Sequence, residues 1–580
     1  MKKSTRYSAA LALLLALGLL GGCTQASSDA SASSSQEDAL SSQQTAATAM
    51  DTSSLFSDRD LEGTYDESAA IPIQLSGDSA ACDSSAVTVE GSTITITAEG
   101  VYLLSGTLTD GQIVVNAGET DKVQLVLAGA DITSSTSAAI YALEGDKVFV
   151  TLAEGTENTL TNGGEYVAID DNNIDGVIFA KTDLTLNGTG SLTINAQAGH
   201  GVVSKDDLVI TGGSYTVTAA SHGLSAKDSI AIAGGTFAIT SDKDGIHAEN
   251  SEDTSLGYLY LADGTYTITA QGDAISASGA AQIDGGTYTL TTGEGSASVT
   301  MTSSDTAAQP GGHGGWSKGT LPDAQTTDAQ AAQAQTTAAQ TETTQTETDT
   351  TDSTSQKGIK AEGGLVLNGG VFTMDTVDDC LHSGGDLLVT AGEYNLSSGD
   401  DAVHSDAALT IQNGTFTIPY CYEGIEGLSI TIEDGTFTIT SYDDGLNAAG
   451  GADSSGLGGF GGGPQDTFST SSDSFILING GTFTVVSSGD CLDSNGDMTI
   501  NGGTLDLTCN GSGNTTLDCD GTFTHNSGDL TTNDGAEENP GQMGGGGGRG
   551  GMGQDGQRPS HDTGDLQAPD SGTGDTTAAQ

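Results

Sequence analysis

The feature that most constrains this chain is a stretch that recurs along it: LVITGGSYTVTA, IAIAGGTFAITS, LYLADGTYTITA, LVLNGGVFTMDT, LTIQNGTFTIPY, ITIEDGTFTITS and ILINGGTFTVVS. Each is an apolar run, a Gly-Gly or Asn/Asp-Gly step, a small residue, an aromatic, and then Thr alternating with Ile, Val or Leu. Tyr215 and Phe237 are 22 residues apart, as are Tyr266 and Tyr288, Phe372 and Tyr394, and Tyr394 and Phe416; Phe437 follows 21 later. Alternation with period two marks strands with one buried face. A fixed period of this size, punctuated by Gly, Asn and Asp, marks a repeat architecture. Leucine-rich repeats need a Leu/Asn consensus that is absent, and helical repeats need helix formers where this chain has Thr, Val and Gly. The expected fold is all-β: a single-stranded parallel β-helix, or solenoid, with a repeat of about 22 residues.

Stacked repeats bring equivalent residues to one strand spacing, about 4.8 Å. The aromatics then form one column, which reads either as a sugar-stacking platform or as an internal stack. The apolar neighbours at alternate positions favour the internal stack. The chain's single tryptophan, Trp316, lies in a low-complexity stretch and gives no support to a sugar platform.

The rest of the chain divides around this repeat. Residues 1–23 have a basic start (Lys2, Lys3, Arg6), an apolar run from Ala9 to Leu20 and a Leu-Gly-Gly-Cys close, which reads as a lipoprotein signal peptide with Cys23 lipidated. Residues 24–60 read as a flexible Ser/Ala/Gln tether, and 61–535 as the repeat domain, with a low-complexity insertion at 303–356 and a Gly-rich loop at 450–473. The strand-rich but irregular segment Ala86–Glu165 reads as atypical opening repeats, and 536–580 as a disordered Gly-rich tail. The remaining cysteines, Cys82, Cys380, Cys421, Cys491, Cys509 and Cys519, lack the spacing of a disulfide scaffold or zinc knuckle. Cys380 and Cys491 take the place of a small residue and are expected to be buried packing. With 15 basic residues against 78 acidic ones and a net charge of −63, the chain has no electrostatic footprint for nucleic acid.

A second alignment carries the chemistry. After the aromatic strand come AGHGVVS, SHGLSA, DKDGIHA, QGDAISA, QKGIKA, VDDCLHS, GDDAVHS, YEGIEG, YDDGLNA and GDCLDS. One position holds His200, His222, Asp244, Asp273, Lys357, Asp379, Asp401, Glu423, Asp444 and Asp490. Three residues later come His247, Lys360, His382, His404, Glu426, Asn447 and Asp493, and one residue earlier Asp378, Asp400 and Asp443. Two carboxylates about 4.8 Å apart repel by about 0.9 kcal/mol in water and about 3.5 kcal/mol at an effective dielectric near 20. Calcium takes oxygens at about 2.3–2.6 Å, so an ion midway between repeats could be reached from both. The expected metal ligands are therefore Asp244, Asp273, Asp378, Asp379, Asp400, Asp401, Glu423, Glu426, Asp443, Asp444, Asp490 and Asp493. The side chains expected to meet a ligand are His247, His382, His404, Asn447, Lys357 and Lys360. The competing reading is that these are solvated Asp-Gly turns. Zinc suits the chain less well than calcium, because carboxylates outnumber imidazoles and no Cys/His cluster has ligand spacing.

The ordered run DDCLHS, DDAVHS, YEGIEG, YDDGLNAAGG and GDCLDSNG, with the earlier SGTLTDGQIVV and LAEGTENTL, resembles the bacterial carbohydrate-binding domain family of calcium-containing, cellulose- and polygalacturonate-binding β-helix proteins. The resemblance covers residues from about 70 to 535. It implies a right-handed parallel β-helix of pectate-lyase-like shape, a surface location, calcium as cofactor, and binding of acidic polysaccharide without catalysis. Expected partners are thus an acidic polysaccharide and, through the lipid anchor alone, the cell membrane; a monomer outside the membrane is expected. Two alternatives stand beside this reading: a structural adhesin or spacer rigidified by calcium, and a polysaccharide lyase or glycoside hydrolase. A lyase in such a fold needs a cationic base, yet no arginine occurs between Leu61 and Gly548, leaving Lys243, Lys357 and Lys360 on the column. Carboxylate pairs suited to hydrolysis are present, but Gly399-Asp400-Asp401 and Gly199-His200-Gly201 stand in the wrong order for the motifs they resemble.

Overall fold

In the computed structural model the described residues are 47–301, 355–449, 474–538 and 540. The signal peptide with Cys23, most of the expected tether, most of the 303–356 insertion, the 450–473 loop and nearly all of the Gly-rich tail lie outside them.

The alternating stretches are strands. In Thr236–Ser241 the residues Phe237, Ile239 and Ser241 are buried, while Thr236, Ala238 and Thr240 face solvent. The same pattern holds in Thr265–Ala270 and Thr415–Tyr420, apart from the half-buried last residue of the latter. The obligatory glycine before each aromatic has a steric cause. Gly235, Gly264 and Gly392 sit at φ of 137°, 142° and 133°. A Cβ on any of them would meet the ring two residues on, at 3.1 Å for Phe237, 2.8 Å for Tyr266 and 2.7 Å for Tyr394.

A typical repeat holds three strands, such as Leu224–Ala226, Ser229–Ile232 and Thr236–Ser241; in Val403–Ile411 and Ile425–Ile432 the first two run together. None pairs with its chain neighbour. They pair in parallel with the equivalent strands of the next repeat, Ile246–Ala248, Tyr258–Leu261 and Thr265–Ala270. The chain thereby builds three parallel ladders, here called the site ladder, the middle ladder and the aromatic ladder after their order in the repeat. The 44 strands among the described residues join in one sheet, in which two hairpins at the opening, Ile71–Gly77 with Ser79–Ala81 and Val87–Glu90 with Thr93–Ile96, are the antiparallel pairings. The second hairpin lies in the segment expected to be atypical, and the first just ahead of it. Register passes across the insertion unchanged, with Ile275 opposite Ile359 and Tyr288 opposite Phe372. It also passes across 450–473, with Ile430 opposite Ile476 and Phe437 opposite Phe483.

Side chains from all three ladders form one continuous apolar core. Within it the aromatics stack from Tyr215 through Phe237, Tyr266, Tyr288, Phe372, Tyr394, Phe416 and Phe437 to Phe483, with centroids 4.5–5.3 Å apart and planes within 12° of parallel. Those rings are buried, so the internal stack is the correct reading of the aromatic column. Tyrosine and phenylalanine interchange there because each buried phenol finds a carbonyl three residues earlier. Tyr215 donates to Gly212 at 2.7 Å, Tyr288 to Gly285 at 2.8 Å and Tyr394 to Ala391 at 2.9 Å. Cys380 and Cys491 are buried beside the hydroxyls of Thr376 and Ser487, in line with the packing expectation.

One expected boundary moves. The tether was expected to run to residue 60, but the stretch from 47 onward lies along the middle ladder. Met50 N–H donates to Gln282 at 2.7 Å, Phe56 meets Tyr260 at 6.0 Å, and Gln124 donates to the Thr64 carbonyl at 3.0 Å. Between them a short helix, Asp58–Glu62, is capped by Ser57 and closed by Gly63. Its Asp60 is 2% exposed, 2.8 Å from Lys147 Nζ and 2.6 Å from the Thr185 hydroxyl, while the Arg59 guanidinium lies 4.6 Å from the Phe149 ring centre. An exposed-looking Asp-Arg-Asp run docks because its partners, Lys147 and Phe149, are supplied by a distant strand.

The stack predicts an asymmetry between neighbouring positions. Phe372→Ala should cost about 3–5 kcal/mol through loss of a buried ring, whereas Thr373→Ala on the exposed face should stay within about 0.5 kcal/mol. Denaturant midpoints of the two variants against the parent protein check this.

Candidate functional site

The site ladder consists of short strands such as Ile246–Ala248, Leu381–Ser383 and Leu446–Ala448. Three residues suffice because each strand begins after a turn whose residues also align. The first residue of each triplet points inward: Leu224, Ile246, Ile275, Ile359, Leu381, Val403, Ile425, Leu446 and Leu492 are opposite one another and buried. The second residues form the polar column expected from the sequence. His247, Lys360, His382, His404, Glu426, Asn447 and Asp493 take equivalent places, with Ser225 and Ser276 filling the gaps. Asp518, opposite Asp493, extends it by one repeat. It escaped the sequence alignment because the last step is longer than the period. At the N-terminal end the same column continues as Val203, Phe179, Tyr141 and Val114, an apolar patch packed with Ile174 and Tyr166.

The leading column, three residues earlier, does something that spacing alone does not reveal. Glu423 apart, which takes the Asn447 amide, each side chain accepts the backbone N–H of its counterpart in the next repeat. His200 Nδ1 accepts from His222 at 3.3 Å, and His222 Nδ1 from Asp244 at 3.2 Å. Asp244 Oδ1 accepts from Asp273 at 2.8 Å, and Asp273 Oδ1 from Lys357 at 2.7 Å. Asp379 accepts from Asp401 at 3.1 Å, Asp401 from Glu423 at 3.3 Å, and Asp444 from Asp490 at 2.6 Å, with Asp490 in turn accepting from Thr515. An unpaired N–H buried here would carry a desolvation penalty of about 1–3 kcal/mol. The other exception explains a doubled aspartate. Lys357 has no acceptor, and in the following repeat Asp378 Oδ1 accepts the N–H of Asp379 instead, at 3.0 Å. These carboxylates are not solvated turns: Asp273, Asp379, Asp401 and Glu423 are all buried.

Charge divides the column into two halves. In the first, cations from the chain itself answer the carboxylates. His247 Nδ1 lies 2.7 Å from Asp244 Oδ2, and His382 Nδ1 lies 2.9 Å from Asp379 Oδ2. Lys357 Nζ reaches Asp378 at 2.8 Å and Asp379 at 2.6 Å. His404, 1% exposed, is enclosed by Asp401 at 3.1 Å, Glu426 at 2.8 Å and Asp406 at 3.1 Å. Burial alone would strip its proton, but hydrogen bonds donated to those three carboxylates hold its pKa far above the usual histidine value. Burial would likewise protonate Asp379, yet Lys357 and His382 keep it well below the carboxylate range. Three side chains expected to face a ligand, His382, His404 and Lys357, are thus committed to pairs within the chain. Lys360, against Glu362 at 2.7 Å, is held charged by Asp273 and Glu362 although burial opposes it.

In the second half this compensation stops. Among the described residues Glu423, Asp444, Asp493 and Asp518 form no ion pair. Glu423 is pushed well above the usual range by burial and then by Glu426, Asp401 and Asp444; Asp444 is pushed up by burial and then by Asp493, Asp443 and Asp490. Asp490, Asp493 and Asp518 bring carboxylate oxygens within 4.8 Å of one another. Asn447, opposite Glu426 and Asp493, donates from Nδ2 to Glu423 at 2.9 Å, while its Oδ1 is buried without a hydrogen-bond partner. This half offers oxygen donors only, one of them unsatisfied, a donor set of the kind hard cations take.

A further acidic group, Asp183, Asp206 and Asp207, lies where the middle ladder begins, and Asp206 is pushed up to about 6 by burial and then by Asp183, Asp207 and Asp228. The recurring KTDL, SKDDL and AKDS runs were the signal that could have located it.

Comparison with known proteins gives a consistent setting. The family model described as carbohydrate-binding domain-containing protein matches residues 90–402 and 400–539. A protein of that description from Acetivibrio thermocellus is 42% identical over 128 residues, which is 22% of this chain and 45% of the relative's length. A solved structure of a polysaccharide lyase-like protein from C. thermocellum, a gadolinium derivative, is 36% identical, with a TM-score of 0.38, covering 38% of this chain and 91% of that one.

The raised carboxylates set a pH dependence for the metal-free protein. Asp273 is pushed up to about 7 by burial and by Asp244, and Asp493 to about 7 by burial and by Asp490 and Asp518. The folded chain keeps protons on these groups that the unfolded chain, at about pKa 3.9, has already released. Stability should therefore fall as pH rises from about 4 to 7. After chelator treatment the melting temperature should be higher at pH 5 than at pH 8, and Asp493→Asn should narrow the difference.

Proposed function

The chain belongs to the family of carbohydrate-binding domain-containing proteins, and from that premise we propose that it binds acidic polysaccharide, of polygalacturonate or pectin type, through calcium on the C-terminal half of the carboxylate column. The binding is not catalytic, and the protein works outside the cell, held to the membrane by lipid on Cys23. In this reading the three ladders wind as a right-handed parallel β-helix, the arrangement that best accounts for strands pairing one repeat away.

The observation that carries the proposal is the set Glu423, Asp444, Asp493 and Asp518, which form no ion pair among the described residues, with the unsatisfied Asn447 Oδ1 beside them. A chain of net charge −63 repels a polyuronate, so an attraction has to come from a cation that both can share. Bound calcium would supply that attraction, with a coordination shell that sugar carboxylates can complete. The residues' part is to hold oxygens at fixed spacing on consecutive strands. Asp444 and Asp490 are oriented by the N–H groups they accept, and Asn447 by its bond to Glu423. Catalysis is disfavoured by the state of the lysines. A lyase base must release its proton near neutral pH, yet Lys357 sits between Asp378 and Asp379 and Lys360 is held charged.

A second reading, binding of neutral glycan such as cellulose, is favoured by one observation. The outward positions of the aromatic ladder from 214 to 289 are Ser214, Thr216, Thr218, Thr236, Ala238, Thr240, Thr265, Thr267, Thr269, Thr287 and Thr289, all exposed. An uncharged hydroxyl and methyl surface on so acidic a chain suits an uncharged, hydroxylated partner. Retention on cellulose should then survive chelator and fall in a Thr267→Lys/Thr289→Lys variant.

Calorimetric titration of the full mature chain tests the principal reading. Calcium binding should be saturable, lost in Asp444→Asn/Asp493→Asn and kept in Asp379→Asn/Asp401→Asn, whose carboxylates already have side-chain cations. At calcium a hundredfold above its dissociation constant, stabilisation of about 2.7 kcal/mol is expected. Retention on polygalacturonate should require calcium and vanish with chelator. Calcium binding without retention would make the protein a rigidified spacer, and no heat at millimolar calcium would remove the bridging mechanism altogether.

A further inference from the structure

The N-terminal end of the column has a different chemistry from the rest, because imidazoles there outnumber carboxylates. His200, His222 and His247 come from three consecutive repeats, and their rings stack, with centroids 5.1 Å apart for the first pair and 4.1 Å for the second. Asp244 lies between the last two, with Oδ2 at 3.6 Å from His222 Nδ1 and 2.7 Å from His247 Nδ1. We propose that His222, Asp244 and His247 form a binding site for a borderline divalent transition metal, zinc being the best match, separate from the oxygen-only half of the column.

Three features support it. Zinc binds imidazole nitrogen and carboxylate oxygen at about 2.0–2.2 Å, so tetrahedral ligand atoms stand about 3.3 Å apart. The two measured separations fall on either side of that value, and one ligand atom from each of the three residues lies within 4.8 Å of the others. Two nitrogens and one oxygen are a donor set that selects zinc, copper, nickel or cobalt over calcium.

The second feature is the seating of His222. It is 5% exposed, with Nδ1 turned to Asp244, whose N–H it accepts at 3.2 Å, a contact that the metal would displace. The third feature is an orienting carboxylate. His247 Nε2 lies 3.1 Å from Glu249, so that with Nδ1 on the metal the other ring nitrogen donates outward, as ligating histidines usually do. On binding, the metal takes the place of the proton that His247 Nδ1 shares with Asp244, and that proton leaves to solvent. Three protein ligands leave a position open to water or to a ligand atom.

His382 and His404 also stack, at 5.0 Å, but they do not repeat this arrangement. His404 is enclosed by three carboxylates that hold its proton, which makes it a counter-cation.

The test is titration of the chelator-stripped full chain with cobalt(II), read by visible absorption, and with zinc, read by calorimetry. One ion per chain is expected, with the cobalt band of a nitrogen and oxygen site. His222→Ala and His247→Ala should abolish the band. Glu249→Gln, which leaves all three ligands in place, should weaken binding by about 10–100-fold. Asp444→Asn/Asp493→Asn should bind cobalt normally, and excess calcium should not compete. Calcium-dependent retention on polygalacturonate should persist in His222→Ala, so failure of this site and failure of the calcium reading are separable. Absence of saturable binding, an unchanged band in both histidine variants, or displacement by calcium would overturn the proposal. Should the histidine variants fold poorly, full-strength binding in Glu249→Gln together with competition by calcium would overturn it equally.

Discussion

Parallel in-register pairing places every residue one strand spacing from its own counterpart in the next repeat, about 4.8 Å away, and the rest of the molecule follows from that constraint. Like must sit on like. For aromatic rings this imposes face-to-face stacking, which is not the geometry that isolated rings prefer. The stack is tolerable because burial in a continuous core contributes far more than ring orientation costs. The glycine two residues before each ring makes room for it. For carboxylates the same constraint is adverse, since repetition lines up like charges where water is scarce.

The leading column shows how part of that charge is used. A carboxylate that accepts the N–H of the next repeat carries a structural task and a charge together. The structural task recurs from His200 to Asp490, performed by imidazole nitrogen or carboxylate oxygen alike. Lys357 fails at it, with Asp378 taking over, and Glu423 accepts the Asn447 amide instead. Residue type at this position is therefore free to vary in charge as long as it can accept, and the chain uses that freedom. Imidazoles occupy the start of the column, aspartates interrupted by Lys357 the middle, and acids alone the end.

Much of this was legible in the sequence because the period is nearly constant. The strand alternation, the aromatic column, the leading and following positions, and the passage of register across both low-complexity stretches depend only on counting. What counting missed has specific physical causes. Asp518 lies beyond a longer step, so its place in the column emerges only from backbone pairing. Asp60 and Arg59 are charged residues in a polar run, and their docking depends on Lys147 and Phe149 in a distant strand. The acceptor role of the leading column depends on side-chain direction relative to the next N–H, which spacing does not encode. The doubled aspartates suggested an ion between them. At Asp378 and Asp379 the geometry instead supplies Lys357, a cation of the chain's own.

That substitution bears on where exogenous ions can act. Lys357 between Asp378 and Asp379, and His404 enclosed by three carboxylates, are already counter-ions, and displacing either would leave a cation buried without partners, a change that typically costs several kcal/mol. Sites so filled resist metal and stiffen the ladder at any calcium concentration. Where Glu423, Asp444 and Asp493 face one another without a cation, protons or metal must take that part, and the fold is responsive there to pH and to ions. Responsiveness is thus distributed by residue type along a single geometric column. The imidazole-rich start favours nitrogen-seeking metals, the self-neutralised middle favours none, and the carboxylate-only end favours hard cations. A structure with one repeating backbone thereby acquires regions of distinct ligand chemistry without any change in its fold.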